Sequence, residues 1–513
     1  MPLKFVFGPS GSGKSTYLYQ HVIEESEKYP LKNFIVLVPE QFTMQTQKDL
    51  VSMHPRHGIM NIDVLSFARL AYRVFEETGT KQMQVLDDEG KNLILRKIAG
   101  DYEDKLTVLR GNIKKLGYIS EVKSVISEFT QYDIGEEEMD EMLDHLDEDS
   151  RLYYKLKDIR LLYEGFQDYL RERYITKEEL LDVLSSQVKE SELLKKSVVV
   201  LDGFTGFTPV QNRLILELMR CCREVWVTVT MDERENPYSY KHPYQLFGLS
   251  KQMVTTLVRM AGEDRIEVEE PVCLYGYPVR RFEKNRELAF LERNIFRYGA
   301  GRYDKAVENL EIHAAGNPRQ EADAVAEGIR RLVRKEQYRY RDIGVIVSDM
   351  NVYGDYLEQA FENYGIPVFM DHKRSILLNS FVEYIRSLLN MAEKNFSYES
   401  VFRFLRTNLA GFACEEVDEL ENYVIGLGIR GYKGWQNRWI RRLKGMEEEE
   451  LDRLNHYRVQ LVEKVDNLMF VLKQKRKTVR DITMAVYEFM VKENIQERLQ
   501  RTEEEFQKAG ELA

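Results

Sequence analysis

Cysteine is scarce in this chain, with four in 513 residues: Cys221, Cys222, Cys273 and Cys414. None stands in a CxxC pair or beside a histidine pattern. That argues against a disulfide framework or a zinc site and for reduced thiols in a cytosol. No apolar run is long enough to cross a bilayer, so no membrane partner is expected. Nor is there a stretch of signal-peptide type, because Lys4 already opens a strand-like run, and a cytoplasmic location is the expectation. A basic excess is missing too. The 74 Lys and Arg are outweighed by 85 Asp and Glu, for a formal net charge of −11. A protein that wraps nucleic acid over its whole surface is thereby disfavoured, although a local basic groove is compatible with the sum. The acidic runs, Glu136–Glu138 with Asp140 and Glu141, and Glu447–Glu450 with Asp452, read as solvated helix faces. There is no internal repeat and no low-complexity linker. The length exceeds one core, so roughly two to four domains are expected.

What is present begins at once. Lys4-Phe5-Val6-Phe7 is a short apolar run, Gly8-Pro9-Ser10-Gly11-Ser12-Gly13-Lys14-Ser15 is a complete GxxxxGK[ST] loop, and Thr16 to Glu27 reads as a helix. Strand, glycine loop and helix in that order make a P-loop. The glycines let successive N–H groups turn toward phosphate oxygens, and the helix N-terminus adds a favourable dipole. Lys14 is expected to reach the β- and γ-phosphates, and the Ser15 hydroxyl to hold Mg²⁺. Gly8 to Ser15 is thus the expected nucleotide site, with ATP and Mg²⁺ as its occupants.

Phe34-Ile35-Val36-Leu37-Val38 is the continuous β-branched run of a strand buried on both faces. Ile59, Ile62, Val64 and Leu65 suggest a third strand, closed by Ser66-Phe67-Ala68-Arg69. From about Leu86 to Lys196 apolar residues recur at helical spacing, as in Val122, Val125, Ile126 and Phe129, without a strand-like run. The sheet resumes at Val198–Leu201, which ends in Asp202-Gly203-Phe204; a helix from Pro209 to Cys222 and a strand at Val225–Val229 follow. The fold class expected is α/β. A first domain over 1–85 and 197–300 is interrupted by an all-helical insertion over 86–196. A second α/β unit is expected over 301–378, with strands at Leu310–Ala314, Ile343–Val347 and Ile366–Phe369 and helices at Pro318–Arg334 and Tyr353–Tyr364. Residues 379–513 read as helical. The second unit receives no closing strands, so the chain reads as cut short.

Hydrolysis needs more than a phosphate loop: an Asp that holds the metal and a carboxylate that orients water. Asp202 is the candidate metal ligand, at the C-terminal end of a buried strand, where ligands of open α/β sheets lie. The competing reading is an Asp that only opens a turn. Gly203 follows it, with no side chain to orient or deprotonate water, and Phe204 to Thr208 bring no carboxylate.

The order of these features resembles superfamily 1 helicases of the UvrD type and, more closely, the AddB (RexB) subunits of bacterial helicase–nucleases. The P-loop matches that family's first motif, Ile62 to Leu70 its Ser-Phe-x-x-Leu segment, and Asp202-Gly203-Phe204 its Asp-Glu-Phe-Gln sequence, with Gln211 at the distal glutamine. Glu321-Ala322, Asp342–Val347 and Gly365-Ile366-Pro367 resemble the start of a second motor domain. The departures are informative. Gly203 replaces the motor carboxylate, only Asp232 remains of a Gly-Asp-x-x-Gln-Ser-x-Tyr segment, and Leu291-Glu292-Arg293-Asn294 carries Phe296 where an arginine would fall.

The resemblance implies RecA-like motor domains and an ATP-binding, helicase-like subunit that does not translocate. It implies engagement of single-stranded DNA and duplex ends, scanning for Chi, and a role in double-strand break repair and homologous recombination. An AddA-type helicase/nuclease partner would complete a heterodimer. A nuclease domain with Mg²⁺ and a four-cysteine [4Fe-4S] cluster would lie beyond residue 513, and none of the four cysteines here is assigned to it. The expected strand-reading surface is Gln41, Phe42, Thr43, Phe67, Arg69 and Phe207, which leave strands on the P-loop edge and combine polar, basic and aromatic groups. The competing reading is that each Phe closes a strand–helix turn as core. Two other functions stay open. One is an active UvrD-like helicase with a displaced carboxylate. The other is a small-metabolite P-loop kinase, which leaves the helical insertion and the second α/β unit unexplained.

Overall fold

The computed structural model describes residues 2–79, 84–113, 115, 117–171, 174–299, 301–370 and 376–509. Its strands are β1 (Leu3–Gly8), β2 (Asn33–Leu37), β3 (Ile62–Leu65), β4 (Gln84–Leu86), β5 (Tyr174–Thr176), β6 (Ser197–Leu201), β7 (Glu224–Thr230) and β8 (Val272–Cys273). Six of them form one parallel sheet in the order β3-β2-β6-β7-β1-β8. The run of apolar residues in each strand serves two faces at once. Phe5, Phe7, Ile35, Leu37, Val199, Leu201, Val225 and Val227 enter one core, and Val6, Phe34, Val36, Val198, Val200 and Trp226 enter the other. Alternate side chains point to opposite faces, so burial on both explains the missing polar alternation. Each such side chain contributes about 1.5–3 kcal/mol when fully buried.

The expected strands of the first domain form, the third only over Ile62–Leu65, with Ile59 outside it. β8 is an addition, two residues long and hence without a pattern to reveal it.

The insertion is not all-helical. Helices Asp88–Asp101, Tyr118–Gln131 and Arg151–Leu170 share a core that includes Ile98, Val122, Ile126, Leu162 and Phe166. Beside them β5 pairs with β4 in a parallel two-stranded ribbon, Val85 opposite Ile175. Three residues are too few for period-two alternation to show. Downstream, Leu180, Leu184, Val188 and Leu194 pack into the core of the main sheet, although they precede residue 196.

The chain divides into two compact units, 1–313 and 314–513. In the second, helices Pro318–Lys335 and Met350–Asn363 pack through Ala322, Ala326, Ile329, Leu357, Ala360 and Phe361. The strands expected at Leu310–Ala314, Ile343–Val347 and Ile366–Phe369 do not form; those residues are irregular. A strand exists through its ladder, and none of these stretches meets a pairing neighbour among the described residues. Ile346 is 99% exposed and Phe369 89%. From Ser380 onward helices surround a separate core that includes Tyr384, Phe404, Leu420, Trp435 and Leu461. Residues 510–513 of the expected helical end lie outside the described residues. Among those described, no helix is long and apolar enough to cross a membrane.

Candidate nucleotide site

In a parallel sheet the strands end on one edge, and the loops leaving β1, β2, β3 and β6 emerge there together. β1 stops at Gly8, the glycine loop follows, and the helix Lys14–Lys28 begins directly behind it. The Lys14 ammonium is folded back on the loop, donating to the carbonyls of Gly8 at 2.9 Å and Pro9 at 3.0 Å. Burial is the main reason that Lys14 titrates at about 8; Asp202 opposes the shift, Arg281 adds to it and Glu292 opposes it.

Asp202 leaves β6 on the same edge and is 5% exposed. Its Oδ1 accepts from Ser15 Oγ at 3.1 Å and from Thr228 Oγ1 at 2.6 Å, and its Oδ2 accepts from the Tyr19 hydroxyl at 2.7 Å. Burial first, and the Asp202 charge second, push the Tyr19 hydroxyl far above its usual range, so it stays a donor. The fold therefore joins Ser15 and Asp202, which lie 187 positions apart. A hydroxyl and a carboxylate are the hard oxygen donors that Mg²⁺ takes. Among the described residues Ser12 Oγ, buried in the loop, has no hydrogen-bond partner, which leaves it able to donate to a phosphate oxygen. These residues suit a Mg²⁺–nucleotide. Among the described residues there is no group of three or more His, Cys, Asp or Glu that could hold a metal ion.

Gly203 has φ +79° and its amide donates to Thr228 Oγ1 at 3.3 Å. No carboxylate therefore follows Asp202 into the site. Carboxylates do stand on the other flank, where Met231 N donates to the Gly8 carbonyl at 3.0 Å. Asp232 accepts from Arg234, and that hydrogen bond holds its carboxyl down at about 2. Glu292 lines a recess of about 20 Å³ with Pro9, Asp232 and Tyr277, and burial, then Asp232, raises its pKa. Gln211 is engaged elsewhere. It closes a capping box with Thr208 at the start of helix Pro209–Cys221.

All six expected strand-reading residues follow the carboxyl ends of β2, β3 or β6, but they differ in exposure. Gln41, Phe42 and Arg69 face outward, with Phe42 47% exposed. Thr43 is buried and its hydroxyl donates to the Glu40 carbonyl at 3.0 Å. Phe67 is 8% exposed and packs against Phe204 and half-buried Phe207, ring centres 5.4 and 6.4 Å away. Tyr19 and Thr228 were not singled out from sequence, and Glu292 only within the segment Leu291–Asn294. Tyr19 had a signal, since it lies four residues after Ser15 on the same helix face. Thr228 had one as well, as the polar residue in the run Val225–Val229.

The family described as ADDB, N-terminal, matches residues 5–292. The whole chain is 42% identical to an ATP-dependent helicase/deoxyribonuclease subunit of Lachnoclostridium phytofermentans and covers 45% of that protein. It is 34% identical over its whole length to the protein of the same name in Caldanaerobacter subterraneus subsp. tengcongensis, covering 44% of it. Over 99% of its length it is 30% identical to that of Clostridium acetobutylicum, covering 45%. The chain thus spans less than half the length of these curated relatives.

Proposed function

The chain belongs to the AddB N-terminal family, and from that premise we propose that it is the nucleotide-binding, helicase-like part of a protein working in an AddAB-type helicase–nuclease. In this reading it binds ATP with Mg²⁺ through Gly8–Ser15 and Asp202 on a RecA-like sheet. It engages single-stranded DNA along the rim from Gln41 to Phe207, scans for Chi, and leaves translocation to an AddA-type partner. Double-strand break repair and recombination are the processes it serves, in the cytoplasm.

The observation that carries the reading is the meeting of Lys14, Ser15 and Asp202 beside a residue that brings no carboxylate. The loop N–H groups and Lys14 hold phosphate charge. Ser15 and Asp202 suit Mg²⁺, which when bound neutralises that charge. Nothing attached to Gly203 orients water. The test is ATP binding set beside ATP turnover, with and without single-stranded DNA. Binding without turnover is expected, and Lys14→Ala should weaken binding. Unchanged binding in that variant would sink the P-loop assignment, and DNA-stimulated turnover would sink the non-motor assignment.

The recess at Glu292 favours a second reading, an active ATPase with a displaced carboxylate. That reading requires turnover by the wild-type chain and its loss in Glu292→Gln.

A further inference from the structure

Three arginines near the loop are already committed. Arg234 pairs with Asp232, Arg293 with Glu233, and Arg297 with Asp232 and Glu235. Arg280 and Arg281 are not. Both are exposed, and among the described residues neither guanidinium has an ion pair or a hydrogen bond.

The chain brings them to the loop by a fixed route. β8 runs beside β1, Val6 opposite Val272 and Phe7 opposite Cys273, and Leu274 N donates to the Phe7 carbonyl at 2.8 Å. This segment therefore leaves the sheet where the glycine loop leaves it. Buried Val279 anchors the next turn, Arg280–Phe282, and Arg281 N donates to the Gly11 carbonyl at 3.0 Å. A Cβ placed on Gly11, which has φ +82°, would stand 2.7 Å from Arg281 Cβ and 3.3 Å from its Nε. One placed on Gly13 would stand 3.4 Å from Arg280 Cδ and 3.6 Å from its Nη1. Glycine at these points lets the two arginines lie directly on the loop.

We propose that Arg280 and Arg281 form the second wall of the phosphate site, taking the terminal phosphate of a nucleoside triphosphate and so separating triphosphate from diphosphate. This rests on the nucleotide reading above. Lys14, Arg280 and Arg281 bring three positive charges to one loop, and Arg281 already contributes to lowering the Lys14 pKa. Such a cluster repels itself until an anion enters, and guanidinium forks match phosphate oxygens in geometry as well as charge. The pair also comes from a different point of the chain than Phe296, where the family resemblance would put a motor arginine. A triphosphate clamp without a water-orienting carboxylate reads its ligand and does not consume it.

Calorimetric titration of the full chain with Mg²⁺ and either AMP-PNP or ADP tests this. The double variant Arg280→Ala/Arg281→Ala should bind AMP-PNP about tenfold to a hundredfold more weakly, the range for charge-assisted hydrogen bonds. Its ADP affinity should change by less than ~3-fold, because the lost contacts are to the terminal phosphate. Arg280→Lys/Arg281→Lys should recover only part, since an ammonium lacks the fork. Both side chains are exposed and the Arg281 amide is kept, so thermal melting of the free chain should not move. An equal loss for both nucleotides, no loss, or a gain overturns the proposal. If wild type binds nucleotide and Lys14→Ala does not, such a result overturns the arginine wall alone. If wild type binds neither nucleotide, the P-loop reading falls and the arginine wall falls with it.

Discussion

Lys14 is the residue whose charge decides most. Burial holds it at about 8 in the free protein, well below the usual lysine value. A bound phosphate would stabilise the ammonium and raise that pKa. The sign follows: near pH 8 the free protein has lost part of the proton that the complex keeps, so binding takes up a proton and affinity falls as pH rises further. Titrations in two buffers of different ionisation enthalpy should show uptake near pH 8, none well below it, and none in Lys14→Ala. Equal heats in the two buffers at pH 8 would remove this account. Three hydroxyls donate to Asp202, and Tyr19 remains protonated beside it. It is an acceptor held in place before any ligand arrives.

At the level of elements, the proposed lack of hydrolysis rests on the turn after β6. Gly203 sits in the left-handed region, where a Cβ would meet nothing nearer than Pro39 Cδ at 3.8 Å. Space is therefore available and conformation is the obstacle. Gly203→Glu should lose about 1–2 kcal/mol of stability, the cost of that backbone for an L side chain. Gly203→Ala should lose about as much, and neither should gain turnover. Urea melts of both variants check the first point. A loss confined to Glu would mean charge repulsion from Asp202 and not backbone strain. Helices and strands were legible where the pattern was long: Pro318–Lys335 and Met350–Asn363 form within a few residues of expectation, as do β1, β2, β6 and β7. β5 and β8 were not legible, because two or three residues carry no period.

At the scale of the whole molecule, the P-loop, its Asp and the arginine pair all belong to the unit 1–313. Nucleotide at about 100 times its dissociation constant should stabilise that unit by roughly 2.7 kcal/mol. In scanning calorimetry the melting of the chain should move upward with nucleotide, and Lys14→Ala should reduce the shift. No shift in the wild-type chain would contradict nucleotide binding at the loop. The glycine loop between its strand and helix was readable without the structure, since the three follow one another within a few residues and each is set by local propensity. The β-branched runs were readable too, because burial on both faces leaves a mark on every residue. Which distant groups come to stand around the glycine loop was not readable from local sequence. Asp202 meets Ser15, Tyr19 and Thr228, and Arg281 meets Gly11, through the register of a parallel sheet that no local spacing records. The same non-locality explains the strands that failed to form around Ile312, Ile346 and Phe369. Their residues favour extension, but a ladder depends on a neighbour, and pairing is a property of the fold and not of the stretch.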